Sequence, residues 1–226
     1  MKRKGIVILC VMFATMLVFS AAAEDLVFGI KGGLGHFSYY GSDYSDVIDD
    51  PTLSNGLKLG LIAGLFVSIP VSDYVSIQPE FLIAIQGDKF REDADVYGPY
   101  DGYIKYIDNV PYLSLPVLFT YNLIKLSIFA GPDILIKLGA GKWKANPTDD
   151  ALSSVSGEYT SDVFVGFGYA LVAGVAYQLQ AGSAGIVLDA RFQLGLNNIL
   201  DDDVFVLKQY AIIVMAGYRF GAQGIR

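Results

Sequence analysis

Cysteine, histidine and tryptophan are nearly missing from this sequence, which has one of each in 226 residues. A disulfide framework needs several cysteines and a Cys/His metal site needs a cluster of both types, so both are excluded. Charged residues are also scarce, at 17% against the roughly 25% that is usual for soluble domains. The formal net charge of −7 predicts no broad cationic surface for nucleic acid.

Apolar residues are abundant instead, at 53% of the chain, with 25 glycines and 29 Tyr and Phe residues. Such hydrophobicity excludes an intrinsically disordered chain. Glycine together with aromatic residues favours β-structure over a helical bundle. The length is that of one domain of ordinary size.

The first 23 residues have the form of a secretory signal peptide. A basic start at 2–4 precedes an apolar stretch at 5–19 and three alanines at 21–23, which suit a signal peptidase. The apolar stretch is shorter than the ~20 residues that span a bilayer as a helix. We therefore expect residues 1–23 to be removed with Cys10, and residues 24–226 to form an exported domain with thirteen bases against 23 acids.

After residue 24 no apolar run approaches the length of a membrane helix, and apolar residues recur at every second position instead. Between 57 and 69 the odd positions hold only Leu, Ala, Val and Ile, while the even positions include Lys58, Gly60, Gly64 and Ser68. A period of two indicates a β-strand with one apolar face. The pattern occurs in eight segments, at about 26–39, 57–69, 75–87, 110–121, 126–138, 163–179, 186–194 and 210–220.

The connections between these segments alternate in length. Three are short, at 70–74, 122–125 and 180–184, and four are long, at 40–56, 88–109, 139–162 and 197–208. Small outer-membrane barrels have this alternation, with tight periplasmic turns and larger outer loops. A soluble sandwich was the alternative, but it would leave its polar face outside. The sequence therefore predicts an all-β, eight-stranded antiparallel, up-and-down transmembrane barrel in the outer membrane, with the long loops outside the cell.

The chain also resembles the PorT-like outer-membrane β-barrel family, a group of small eight-stranded barrels. The residues that carry this resemblance are Ile77-Gln78-Pro79-Glu80-Phe81-Leu82, Gln86-Gly87, Tyr112-Leu113-Ser114-Leu115-Pro116, Ala130-Gly131-Pro132, Gly195-Leu196-Asn197-Asn198-Ile199 and Gly217-Tyr218-Arg219-Phe220. Two positions depart from the family, with Ser114 where an acid is common and Gln86 where Lys is common. The resemblance implies the fold and the outer membrane but no shared activity.

The strand register places a set of charged residues on the inward face of the barrel. The set consists of Lys31, Lys58, Glu80, Asp133, Lys137, Asp189, Arg191 and Arg219, with Gln78 and Gln193 beside them. A narrow barrel interior penalises isolated charges, so we expect acids and bases to pair across it as a structural network. Glu80 is the most informative member, and either Arg191 or Arg219 is its expected partner. Inward Phe66, Leu82, Leu118, Phe129 and Leu135 favour a filled interior.

The long loops are acidic and rich in tyrosine. Examples are Asp43, Asp46, Asp49 and Asp50 in the first, Glu92, Asp93, Asp95, Asp101 and Asp108 in the second, and Asp201-Asp202-Asp203 in the fourth. None of them matches a calcium-binding loop motif. These loops suit a surface partner, or divalent cations that bridge to lipid headgroups.

Three functions remain open at this point. The leading hypothesis is a structural or surface-interaction protein, a monomer that contacts outer-membrane lipid and requires no cofactor. A small channel, or a carrier of hydrophobic ligands, is the second. The third is a lipid-modifying enzyme centred on His36, with Ser38 two residues on along the same strand face.

Overall fold

The computed structural model describes residues 26–41, 53–55, 58–93, 102–148, 153–158, 164–179, 184–200 and 206–220. The expected signal peptide at 1–23 and most acidic loop residues lie outside this part of the chain. Twelve strands are present in it: β1 Val27–Tyr40, β2 Leu53–Asn55, β3 Leu59–Pro70, β4 Val75–Gln86, β5 Lys89–Asp93, β6 Tyr103–Asn122, β7 Leu126–Lys137, β8 Lys142–Pro147, β9 Val155–Glu158, β10 Phe167–Gln178, β11 Gly185–Gly195 and β12 Lys208–Phe220. Among the residues described, no helix is long and apolar enough to cross a membrane.

Eight of these strands form a closed antiparallel barrel. Around the barrel they follow the order β1, β12, β11, β10, β7, β6, β4 and β3, and β1 closes the circle by pairing with both β12 and β3. Closure leaves no unpaired strand edge in the lipid. The predicted eight-stranded barrel is confirmed.

The two ends of the barrel differ. At one end, which we call the turn end, residues 71–74 and 123–125 join neighbouring strands, and β10 ends and β11 begins there as well. The opposite end, which we call the loop end, carries the longer connections. The predicted alternation of short and long connections is therefore present.

The two faces of the barrel wall also differ, because side chains alternate along each strand. The outward face is a band of exposed aliphatic and aromatic residues, among them Leu61, Leu65, Ile83, Phe119 and Val214. In water such a surface would be an aggregation hazard, whereas in a bilayer it is solvated by lipid tails.

The structure corrects the expectation that 88–109 and 139–162 are loops. β5, the first part of β6, β8 and β9 form a sheet there, and β2 pairs with β5. We call this five-stranded extension the outer sheet. It continues the barrel wall, since the β4–β6 pairing Gln86↔Val110 and the β5–β6 pairing Lys89↔Ile107 share one register. Its strands are short and mix charge with aromatics, so they lack the apolar alternation of the lipid-facing strands.

Apolar layers fill the barrel towards both ends. Towards the loop end, Phe37, Ile62, Leu82, Ile213 and Met215 form one buried cluster together with two alanines. On the opposite wall, nearer the turn end, Leu118, Phe129 and Val172 form a second cluster. The inward Phe66 and Leu135 are buried as well. An eight-stranded interior is just wide enough for side chains to fill.

Candidate functional site in the barrel interior

Four charged side chains meet in the middle of the barrel: Lys31 on β1, Glu80 on β4, and Asp189 and Arg191 on β11. We call them the lumen cluster. Each side chain is at most 4% exposed. The two cations and two carboxylates balance, so the cluster has no net formal charge.

Glu80 is the centre of the lumen cluster. Its Oε1 accepts hydrogen bonds from Lys31 Nζ at 2.6 Å and from Arg191 Nη2 at 3.2 Å, and its Oε2 accepts one from Arg191 Nη1 at 2.8 Å. Gln78 Nε2 donates to Glu80 Oε1 at 2.7 Å. Arg191 therefore binds the carboxylate through both terminal guanidinium nitrogens, Nη1 and Nη2. Such bidentate arginine–carboxylate pairs are strong.

Asp189 closes the cluster on the β11 side. It accepts from Lys31 Nζ at 3.0 Å and from Arg191 Nε at 2.8 Å, and Arg191 Nη2 also donates to it. Each cation thus contacts both carboxylates. A buried charge with this many partners avoids the large penalty of an unpaired one.

Aromatic rings support both cations from the side. Lys31 Nζ lies 4.8 Å from the centroid of the Phe66 ring, and Arg191 Cζ lies 5.0 Å from that of Phe129. These distances are within the range of cation–π attraction. Space for the Phe129 ring exists because Gly174 lies beside it, and a Cβ there would come within 2.7 Å of the ring.

Asp133, on β7, is buried next to the lumen cluster. Its Oδ2 accepts hydrogen bonds from Ser114 Oγ and from Gln193 Nε2, both at 2.8 Å. Its Oδ1 has no hydrogen-bond partner among the described residues. Ser114 on β6 is therefore a hydrogen-bond donor to the acid on the neighbouring strand β7.

The other inward cations do not join the lumen cluster. Arg219 donates to Gln178 Oε1 at 2.9 Å near the turn end. Of the two arginines expected as partners of Glu80, Arg191 therefore makes the contact, and Lys31 joins it. Lys137 Nζ donates to the carbonyl oxygen of Phe164 at 2.6 Å. The eight charged residues assigned to the inward face therefore fall into separate groups.

Lys58 is buried at the loop end, where the barrel meets the outer sheet, just before β3 begins. Its Nζ donates to the carbonyl oxygens of Gln86, at 3.1 Å, and of Asp108. Burial lowers the pKa of Lys58 to about 8, although the carboxylates of Asp108 and Asp88 favour its charged form. No pattern in the sequence indicated these backbone acceptors.

Among the cavities lined by described residues, two small ones lie along the interior. One, of about 30 Å³, is on the turn-end side and is lined by Lys31, Gln78, Thr120, Gln178 and Arg219, among others. The second, of about 10 Å³, is on the loop-end side beside Tyr112 and Gln193. Cavities of this size hold at most a few water molecules.

The candidate catalytic residues at the rim do not form a nucleophile–base pair. His36 Nδ1 is 3.1 Å from the carbonyl oxygen of Lys58, and Ser38 Oγ donates to Asp88 at 3.3 Å. Among the residues described, His36 and Ser38 are not hydrogen-bonded to each other. Activation of a serine requires a base within hydrogen-bond reach.

Comparison with known proteins agrees with this geometry. Residues 21–201 match the family described as outer membrane protein beta-barrel domain. The chain belongs to this family. It is thus an outer-membrane protein whose strands are embedded in lipid.

Solved structures of similar fold include three bacterial outer-membrane proteins. The attachment invasion locus protein Ail of Yersinia pestis is 15% identical, with a TM-score of 0.43 over 86% of this chain and 98% of that one. Neisserial surface protein A is 10% identical, with a TM-score of 0.42 over 85% and 95%. OprG of Pseudomonas aeruginosa is 10% identical, with a TM-score of 0.39 over 88% and 98%. No curated protein matches the chain in sequence.

Proposed function

We propose that this protein is a non-conducting, monomeric barrel that anchors a binding surface at the cell exterior. Within its family we place it in the PorT-like group, on the strength of the segments at 77–82, 112–116 and 217–220. The loop end faces outward, so the first residue of β1 and the last residue of β12 lie on the periplasmic side. The role is one of surface interaction and not of catalysis.

The observation that carries this proposal is the lumen cluster. The Glu80–Arg191 contact crosses the full width of the barrel, at the middle of the interior. An ion path would have to pass through a neutral, hydrogen-bonded group of side chains and then through the buried Phe37 layer. A carrier of hydrophobic ligands would need a cavity far larger than about 30 Å³.

The outer sheet supports a surface role. It extends the barrel wall beyond the loop end through β5, β6, β8 and β9. Tyr103, Tyr106 and Trp143 lie on it, and aromatic side chains give large contact areas at small entropic cost.

Thiol labelling on intact cells tests the proposed orientation. The only cysteine of the sequence is Cys10, so a cysteine introduced elsewhere is unique in the exported chain if 1–23 is removed. Ser156→Cys places a thiol on exposed β9 of the outer sheet, and Ala184→Cys places a second one at the exposed turn end. A maleimide on a large polymer that cannot cross the membrane should label Ser156→Cys only. Labelling of Ala184→Cys alone would show the reverse orientation and overturn the proposal.

A further inference from the structure

The two faces of the outer sheet carry different chemistry, because cross-strand partners lie on the same face of a sheet. The register aligns Lys89 with Ile107 and Lys144, and Arg91 with Lys105 and Asn146. One face therefore collects five bases and two acids: Lys89, Arg91, Lys105, Lys142, Lys144, Asp93 and Glu158. We call it the basic face. It holds five of the thirteen bases that follow residue 23, in a chain with a formal net charge of −7.

The opposite face of the outer sheet is aromatic. The rings of Phe90 and Tyr106 stack with centroids 4.8 Å apart. The Trp143 ring covers Gly157, where a Cβ would come within 3.0 Å of it. The sequence shows this division as cation–aromatic alternation, in Lys89-Phe90-Arg91 and Lys142-Trp143-Lys144. The acidic overall composition of the chain conceals this local strip of bases.

The basic face continues the lipid-facing side of the barrel. On β6 the odd-numbered residues point outward, as exposed Phe119 does, and Lys105 and Ile107 follow the same alternation. Pro111 on β6 pairs with Ile85, which is 39% exposed on the lipid side. Asn109, two residues nearer the outer sheet on the same strand, pairs with Lys142. Two strand residues advance about 7 Å, so the cations begin at headgroup height.

Within the described part of the chain, protein groups neutralise the cations of the basic face only partly. Arg91 Cζ and Lys105 Nζ lie 4.9 Å and 5.1 Å from the ring centroid of Tyr103, which holds both beside each other. The Lys142–Glu158 pair, at 3.5 Å, is more than 60% exposed on both sides and is therefore weak.

We propose that the basic face binds the phosphate groups of anionic lipids in the leaflet that surrounds the loop end. The charge of the face is complementary to phosphate, and its height places it against headgroups and away from the barrel mouth. Basic residues just beyond a lipid-facing surface are attracted to anionic headgroups in this way. The proposal is independent of the closed lumen, since the basic face lies outside the barrel wall.

Native mass spectrometry of the detergent-solubilised protein, titrated with diphosphoryl lipid A, tests this proposal. The variant carries Lys89→Gln, Lys105→Gln, Lys142→Gln and Lys144→Gln together. We expect it to bind lipid A at least about tenfold more weakly than the parent, because each lysine adds to the attraction of an anionic surface. Added salt should weaken binding by the parent more than binding by the variant.

Matched controls separate the basic face from general charge. Lys144→Gln should weaken lipid A binding, while Lys125→Gln, at the exposed turn end, should not. Emission from Trp143, the single tryptophan, reports whether the outer sheet is intact in each variant. Equal lipid A binding by the parent and the fourfold variant would overturn the proposal. It would also fall if the four lysines governed binding of soluble dextran sulfate and not of lipid A.

Discussion

Glu80 and Arg191 stand on opposite strands of the barrel, four strands apart in either direction, and their side chains meet in its middle. The strand order places β4 and β11 across from each other. Two hydrogen bonds of 2.8 and 3.2 Å join residues that are 111 positions apart in sequence. Their contact therefore depends on correct closure of the whole barrel, and it is made only in the folded state.

Removal of the Glu80 charge should destabilise the protein strongly. Glu80→Gln keeps the shape but leaves Lys31 and Arg191 with Asp189 as their one carboxylate partner in the lumen cluster. Breaking a buried pair from one side costs about 3–5 kcal/mol, against about 0–1 kcal/mol for an exposed pair. Glu158→Gln, which breaks the exposed pair with Lys142, is the matched control. The measurement is urea unfolding in detergent, monitored by the shift in gel migration between the folded and the unfolded barrel. Glu80→Gln should unfold at a lower urea concentration than Glu158→Gln. Equal unfolding midpoints of the two variants would contradict a buried Glu80.

Replacement of both partners should cost less than the sum of the two single changes. Glu80→Met and Arg191→Met each leave a buried charge without its main partner, whereas the double variant leaves Lys31 and Asp189 as a neutral pair. The coupling free energy in this double-mutant cycle should be about 1–3 kcal/mol. Strict additivity of the unfolding free energies would show that the two side chains do not interact.

The Gly174 position should not tolerate a side chain. A Cβ there would clash with the carbonyl oxygen of Ala190 and come within 2.7 Å of the Phe129 ring. Gly174→Ala should therefore lower the free energy of unfolding by about 1–3 kcal/mol, as overpacking does. Gly139→Ala, where a Cβ would meet nothing within 4 Å, should be nearly neutral. Similar unfolding midpoints for these two variants would contradict the packing around Phe129.

Lys58 should make stability depend on pH in the alkaline range. Its folded pKa of about 8 lies below the ordinary value of 10.5, so between these pH values the unfolded chain binds more protons. Stability contributed by Lys58 therefore rises with pH from about 8 to 10.5. Relative to Lys58→Met, the parent should gain stability over this interval in urea unfolding at fixed pH. A constant or shrinking difference would contradict the lowered pKa.

Strand periodicity predicted most of the barrel, and the outer sheet shows where it failed. Because one face of β3 and of β12 contacts lipid, apolar residues alternate along both strands, and the sequence therefore predicts them. β5 and β8 lie outside the lipid band and alternate cations with aromatics, a pattern also compatible with an exposed loop. Connection lengths alone could not reveal that β6 begins at Tyr103 and not near residue 110.

The sequence also predicts which face of its strand each charged residue occupies, but not which of these residues contact one another. Parity along each strand places Glu80, Arg191 and Arg219 inside. Which of them meet depends on strand tilt and on the order of strands around the barrel, both of which are set by closure. Arg219 consequently bonds to Gln178 near the turn end, and Lys31 takes the place beside Glu80.

Single-channel recording in planar bilayers tests the closed lumen most directly. The parent protein should give no steady conductance steps, because the lumen cluster and the Phe37 layer fill the interior. A folded variant with Glu80→Ala, Arg191→Ala, Phe37→Ala and Leu82→Ala together should show a higher frequency of small openings, and Glu158→Ala should match the parent. Large, steady steps from the parent protein would contradict the closed barrel and favour a channel.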